Sequence, residues 1–252
     1  MLRLALSGGS GRMGKAIQDL IKEEFSETIV LIGSVERLVQ ATEVTALCSQ
    51  VDVMVDFSAP SQISPLAAAC AEGGCALVTG TTGIDTEGQQ ALLAASQKIP
   101  ILHEPNFSLG IQIVAHLIAQ AAILLGETVD IEILEKHHRY KADAPSGTAL
   151  FLGEALARAT NTSLQEKAEW PRLPYREDPR APGTLRFSCQ RGGTVVGTHR
   201  IDFFAPDEVL TIEHQAQDRR IFARGALQAA LWIRARPPKA YKLADMLADR
   251  GL

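Results

Sequence analysis

The sequence predicts an α/β protein: a doubly wound parallel sheet, then an α+β region with an open mixed sheet. Three observations carry this. Residues 1–108 alternate short apolar runs with helical patterns. A turn with glycines at Gly8, Gly11 and Gly14 separates the first run from the first helical pattern. Beyond residue 184, three strand-like runs follow one another with only turn residues between them.

The first strand, residues 2–6, leads through Ser7-Gly-Gly-Ser-Gly-Arg-Met-Gly14 into a helix over residues 15–25. Strand, glycine turn and helix in that order are the context that gives such a turn meaning. Gly8 permits the tight turn, Gly11 lets the backbone approach a pyrophosphate, and Gly14 permits close helix–strand packing. The first half therefore reads as a Rossmann-type dinucleotide-binding unit. A second strand, residues 29–34, ends at Glu36-Arg37. An acidic residue at this distance can bond ribose hydroxyls, whereas Arg37 can pair with a 2′-phosphate. Their adjacency suits both NADH and NADPH. Strands follow at 51–57, 75–79 and 99–103, with helical patterns at 60–72 and 85–97 and a short connection at 43–50. Gly80-Thr81-Thr82 leaves the carboxyl end of the fourth strand, where ligands of open parallel sheets bind. Glu104-Pro105-Asn106-Phe107 leaves the fifth, Asn106 reading as a polar contact and Phe107 as open to a core role.

A helix over residues 109–125 carries Gln112, His116 and Gln120 as a polar stripe, which argues against a membrane span. Residues 129–134 then alternate as a strand, and the stretch that follows organises the chain. His137, His138, Arg139, Tyr140 and Lys141 form a cluster that is costly to bury and unsuited to a core. Asp143-Ala-Pro145 breaks regular structure, and Ser146-Gly147-Thr148 opens a helix over residues 149–159. Imidazoles, a cation and the N–H groups of a helix start thus lie within one short loop. That suits an anionic substrate that must exchange a proton. Residues 161–182 are polar and proline-rich, an irregular excursion. Strands at 184–191, 194–205 and 208–216 are expected as a sequential antiparallel set, turned by Gly192-Gly193 and Pro206-Asp207. Its open face or edge calls for cover, for which another subunit would serve. A helix over 219–234 and a short one over 241–249 finish the chain.

Composition narrows the function classes. The 252 residues suffice for one large or two small domains, and 46% apolar with 21% charged residues is ordinary for a globular protein. A net charge of −4 gives no basic footprint for nucleic acid. Cys48, Cys70, Cys75 and Cys189 include no CxxC pair, so no metal site is expected. No disulfide framework or signal peptide is visible, which points to a reducing, cytoplasmic compartment.

Glu135-Lys-His-His-Arg-Tyr-Lys-Ala-Asp-Ala-Pro-Ser-Gly-Thr-Ala149 resembles the signature of the dihydrodipicolinate (4-hydroxy-tetrahydrodipicolinate) reductase family of the diaminopimelate–lysine pathway. Supporting matches are Gly11-Arg12-Met13-Gly14, Asp56-Phe57-Ser58, Gly80-Thr-Thr-Gly83, Asn106-Phe107-Ser108 and Arg191-Gly-Gly-Thr-Val-Val-Gly-Thr-His199. The likeness spans nearly the whole chain. It implies His137 as proton donor/acceptor, Lys141 as proton donor, and His138, Ser146, Gly147 and Thr148 as contacts to a small dicarboxylate substrate. It implies cofactor contacts at Gly8, Gly9, Ser10, Gly11, Arg12 and Met13, at Glu36 and Arg37, at Gly80, Thr81 and Thr82, and at Glu104, Pro105, Asn106 and Phe107. It also implies a cofactor domain over 1–108 and 219–252, a substrate domain over 109–218, and a homotetramer built through the substrate-domain sheet. Two departures stand out. The connection between Arg37 and Val51 is short for the family, and Glu104-Pro105 replaces a small apolar pair, which brings a carboxylate toward the nicotinamide.

Two other readings share the cofactor domain. An amino-acid or semialdehyde dehydrogenase accounts for Gly8–Gly14 but not for the His-His-Arg-Tyr-Lys to Ser-Gly-Thr stretch. A redox-sensing module needs the dinucleotide but leaves the polar cluster without a task.

Overall fold

The structure, a computed structural model, describes residues 1–36, 41–169 and 180–251. The chain divides into two compact units, Met1–Ser108 with Arg220–Leu252, and Leu109–Arg219.

The first unit begins β1 (Leu2–Ser7), α1 (Arg12–Glu24), β2 (Ile29–Val35), α2 (Ala41–Cys48), β3 (Val53–Asp56), α3 (Ile63–Gly73), β4 (Ala76–Thr79), α4 (Thr86–Ala95) and β5 (Pro100–His103). Every residue of β3 and β4 is buried, as befits strands covered on both faces. Ala5, Met54 and Leu77 join Ile63, Leu66, Cys70 and Leu92 in one apolar cluster on the α2–α4 side. The helix foreseen over 60–72 starts as a 3₁₀ turn at Pro60–Gln62, where proline's missing N–H costs nothing.

The second unit holds α5 (Leu109–Leu125), β6 (Asp130–His137), α6 (Gly147–Ala159), α7 (Leu164–Lys167), β7 (Ala168–Glu169), β8 (Leu185–Arg191), β9 (Gly197–Phe204) and β10 (Val209–Ala216). Its sheet runs β10-β9-β6-β8-β7. The expected antiparallel meander is therefore corrected: β6 lies between β8 and β9, parallel to the first and antiparallel to the second. The link through Gly192-Gly193 crosses the end of β6, with Gly192 N donating to His137 O at 3.0 Å and Arg139 N to Gly193 O at 3.3 Å. A two-strand step of about 10 Å is within easy reach of the few residues between β8 and β9. Isoleucines 111, 118, 131 and 133 pack with Leu152, Leu156, Phe187 and Phe203 as the core under α5 and α6.

Other expectations also shift. The excursion over 161–182 is not wholly irregular, because a capping box at Ser163 and Glu166 starts α7 and β7 adds an edge strand. The stripe on α5 is broken. Gln112 is buried, and Leu117 and Leu124 are exposed beside His116 and Gln120. No described helix is long and apolar enough to cross a membrane.

The chain then returns to the first unit with α8 (Arg220–Ile233), β11 (Lys239–Tyr241) and α9 (Leu243–Ala248). Tyr241 was expected in the last helix. It instead pairs with Leu102, so β11 extends a six-stranded parallel sheet of order β11-β5-β4-β3-β1-β2. This is the Rossmann-type doubly wound arrangement, with the order reversing between β1 and β3. Helix α8 packs on α1 and on β3–β5. It approaches so closely that a Cβ at Gly225 would lie 1.8 Å from Phe107 O. Backbone cannot yield there as a flexible side chain could. Gly225→Ala is therefore expected to lose about 1–3 kcal/mol of stability, read from the urea midpoint at unchanged slope. An unmoved midpoint would show that α8 tolerates a shift.

Candidate active site

The strand β6 carries the chemistry of the second unit. Its burial alternates, placing Ile131, Ile133, Glu135 and His137 on the covered face. The expectation that the polar cluster stays out of the core is thus corrected at its first member. His137 is 8% exposed and Glu135 fully buried. Burial is tolerable because the carboxylate is fully engaged. Glu135 Oε2 forms an ion pair with His137 Nδ1. Glu135 Oε1 accepts Arg191 Nη2 at 2.7 Å and Ser146 N at 3.1 Å. Burial pushes the Glu135 carboxyl up, but His137, Arg191 and Cys189 outweigh it and hold it well below the usual carboxylate range.

His199 stacks edge-on against His137, ring centroids 5.2 Å apart. Burial, reinforced by the neighbouring His137, pushes His199 down to about 4, so it is neutral at pH 7. Its Nε2 meets Ser146 Oγ at 3.3 Å. Ser146 caps α6 as foreseen, accepting Ala149 N at 3.1 Å. His138 is half-buried, and its imidazole lies below the ordinary value through desolvation and the charges of Arg219, His137 and Lys141. Lys141 Nζ lies 2.8 Å from Asp143 Oδ2, and Asp143 also takes the Gly147 N–H. Asp143 therefore braces the loop. Arg191 ties the same loop down through the carbonyls of Lys141 at 3.3 Å and Asp143 at 2.5 Å. Gly147 is exposed and Thr148 half-buried at the start of α6.

In the first unit, Gly8 has φ +81°, and a Cβ there would lie 2.6 Å from Phe57 O. A Cβ at Gly14 would lie 2.4 Å from Gly8 O, and one at Gly80 would collide with the Phe57 ring. These turns adjoin the switch point between β1 and β3. Helix α1 starts at Gly11 with no side-chain cap, and Arg12 is exposed and Met13 half-buried in its first turn. Such a start fits a pyrophosphate. Glu36 accepts Ser10 N at 2.8 Å and Ser34 Oγ at 3.3 Å, and also takes the Ser10 hydroxyl. The Ser10 hydroxyl, outweighing burial, lowers its pKa. Its carboxylate thus closes on the glycine turn beside the buried Gly9. Arg37 falls outside the described residues.

Thr81 Oγ1 and Thr79 Oγ1 both donate to Asp56 Oδ2 at 2.7 Å, and Ser58 N donates to Asp56 Oδ1 at 3.2 Å. Thr82 is exposed beside them. Glu104 does not project freely. It is buried, and its Oε1 accepts Leu243 N at 3.1 Å at the start of α9. Burial raises its pKa, opposed by that N–H and by Lys242. Pro105 is exposed, and Asn106 Oδ1 turns back to Ser108 N at 2.8 Å. The Phe107 side chain belongs to the core, edge-on to Phe57 at 5.7 Å, which leaves only its backbone for a ligand.

Sequence reasoning gave no role to Asp56, Glu135, Arg191 or His199. Period-two spacing from His137 was available for Glu135. Nothing in the sequence gave the register that sets Glu135 opposite both Cys189 and His199, and His137 opposite Arg191.

Among the described residues, Cys48, Cys70 and Cys75 are close enough to share an ion, as are Glu135, His137 and His199. The thiols lie in the apolar cluster, where thiolates would be buried charges with no cation beside them. At the second group the Arg191 guanidinium already neutralises Glu135. Proton exchange suits that group better than a dication.

Two family models match the chain: dihydrodipicolinate reductase, N-terminus, over residues 2–107, and dihydrodipicolinate reductase, C-terminus, over residues 110–247. A 4-hydroxy-tetrahydrodipicolinate reductase of Pseudomonas fluorescens (strain Pf0-1) is 39% identical over 98% of this chain and 99% of its own. One from Gluconobacter oxydans (strain 621H) is 41% identical over 97% and 96%. Among solved structures, a dipicolinate-bound dihydrodipicolinate reductase from Paenisporosarcina sp. TG-14 shares the fold, with TM-score 0.77, 20% identity and 96% and 97% coverage.

Proposed function

The chain belongs to the dihydrodipicolinate reductase family, and we infer that it reduces 4-hydroxy-tetrahydrodipicolinate to tetrahydrodipicolinate with loss of water, as a diaminopimelate–lysine pathway enzyme of the cytoplasm. The observation that carries this reading is the β6–α6 junction. There one buried carboxylate, Glu135, holds His137 and the start of α6, and Arg191, which also pairs with it, ties down the loop that carries Lys141.

The cofactor is NADH or NADPH, which supplies the hydride when bound. The uncapped start of α1, Ser10 and the turns at Gly8–Met13 and Gly80–Thr82 hold it, with the backbone of Glu104–Phe107. Glu36 takes the ribose hydroxyls, and Arg37 takes the 2′-phosphate where there is one. Glu36 must then release Ser10 or share its carboxylate with the ribose. In the second unit, Lys141, His138 and the start of α6 at Gly147 and Thr148 hold the substrate carboxylates, which displace Asp143 from the Gly147 N–H, while Ser146 caps the helix with its own N–H kept by Glu135. His137 delivers a proton to the ring, an imidazole being suited to proton exchange near neutral pH. Lys141 is a second proton source.

A homotetramer is part of this reading. Val209 and Leu210 on the edge strand β10 are 52% and 41% exposed, apolar surface that another subunit would cover. Light scattering at the monomer mass would reject it.

The test is oxidation of NADH and NADPH, each separately, with substrate freshly condensed from pyruvate and aspartate semialdehyde. Turnover that depends on the condensation product supports the assignment. No turnover with cofactor binding intact overturns it. Arg37→Ala is expected to weaken NADPH about 10- to 100-fold and leave NADH unchanged, because a charge-assisted phosphate contact is worth about 1.5–3 kcal/mol. Equal losses for both cofactors would count against the phosphate contact.

A further inference from the structure

We propose that Glu135 is a positioning residue for His137, holding the ring proton on Nδ1 so that Nε2 is the nitrogen that takes up and gives the catalytic proton. This rests on the proton-donor role argued above for His137.

The geometry is specific on both sides of the ring. Glu135 Oε2 pairs with His137 Nδ1, and the Cys189 thiol also bonds the carboxylate. Its other oxygen is held by Arg191 at 2.7 Å and by Ser146 N at 3.1 Å. The carboxylate can therefore neither rotate away nor collect a proton cheaply. A carboxylate that accepts from Nδ1–H fixes one imidazole tautomer and one ring orientation. On the opposite side, a Cβ at Gly197 would sit 3.1 Å from His137 Nε2, closer than most side-chain contacts. That glycine keeps the space in front of Nε2 open. His199 packs against the ring edge-on and blocks a flip, and its own low basicity keeps it from competing for the proton.

The proton balance is simple. His137 enters doubly protonated, with Nδ1–H facing Glu135. The Nε2 proton passes to the substrate ring, and the neutral imidazole remains with its proton on Nδ1. Solvent then restores Nε2–H. Glu135 stays ionised throughout, since protonating it would break the contacts to Arg191 and Ser146.

Two measurements test this. Nitrogen-15 spectra of the histidine rings in the full-length protein, assigned by comparison with His137→Gln, report the tautomer directly. The expected result is a neutral His137 with its proton on Nδ1, and a neutral ring protonated on Nε2 overturns the proposal. In the kinetic test, Glu135→Gln is expected to lose about 10²-fold in kcat with KM changed less than about threefold. Glu135→Asp, which keeps the charge, should recover part of that loss. Wild-type kcat in Glu135→Gln, or equal losses in the Gln and Asp variants, would refute it. Should Glu135→Gln fail to fold, the spectra of the wild-type protein decide alone. Should the wild-type protein not turn over the condensation product, the reductase assignment falls while the spectra still decide the tautomer.

Discussion

His137→Gln is expected to bind reduced cofactor normally and to lose about 10²–10⁴ in turnover, the range a positioned acid–base group contributes. Glutamine is the informative replacement. Its amide can still donate to Glu135 Oε2 and fills most of the space between Glu135 and His199, so the buried carboxylate keeps a partner. What it cannot do is exchange a proton near neutral pH. The cofactor turns belong to the other unit, Met1–Ser108 with Arg220–Leu252, whereas His137 lies in Leu109–Arg219. Cofactor affinity from fluorescence titration and kcat from the coupled assay thus separate cleanly. Unchanged turnover would remove His137 from the mechanism. A parallel loss of cofactor affinity would mean that the substitution had damaged the fold.

The same residue shows how far the sequence could be read. The βαβ alternation and the glycine spacing identified the doubly wound sheet, because both depend on local period and backbone freedom. The cap at Ser146 was legible for the same reason. The environment of His137 was not. Its burial depends on Glu135 two residues earlier and on Arg191, which arrives from β8 only because β6 inserts between β8 and β9. Strand order in an open mixed sheet is set by long-range packing, and three consecutive strand-like runs are equally compatible with a meander. Likewise, the sequence suggests backbone contacts at Glu104 with its carboxylate near the nicotinamide, and not its burial under α9. The short strand β11, only three residues long, brings α9 to it, and strands that short carry little periodic signal. Asp56 was visible only as part of a motif. That it gathers Thr79, Thr81 and Ser58 follows from the β3–β4 pairing, in which Asp56 lies beside Thr79.

Lys141→Ala should lose about 10²–10³ in kcat/KM, shared between a higher KM and a lower kcat. Two effects act together. The ammonium is both a charge for a substrate carboxylate and a proton source. Its removal also strips the partner from Asp143, which sits 2.8 Å away and whose pKa that ammonium lowers. The exposed carboxylate would then repel a dicarboxylate substrate at the start of α6. A second substitution separates the two effects. In Lys141→Ala with Asp143→Asn, the repulsion is gone and KM should fall back toward the wild-type value, while kcat stays low if Lys141 supplies a proton. Recovery of both would reduce Lys141 to an electrostatic role. Recovery of neither would place the loss in the loop itself, which Arg191 holds through the carbonyls of the same two residues. The coupling is expected because contacting charges do not add independently. Asp143 alone, changed to asparagine, should cost little in kcat, since its remaining contact to the Gly147 N–H can be kept by the amide oxygen.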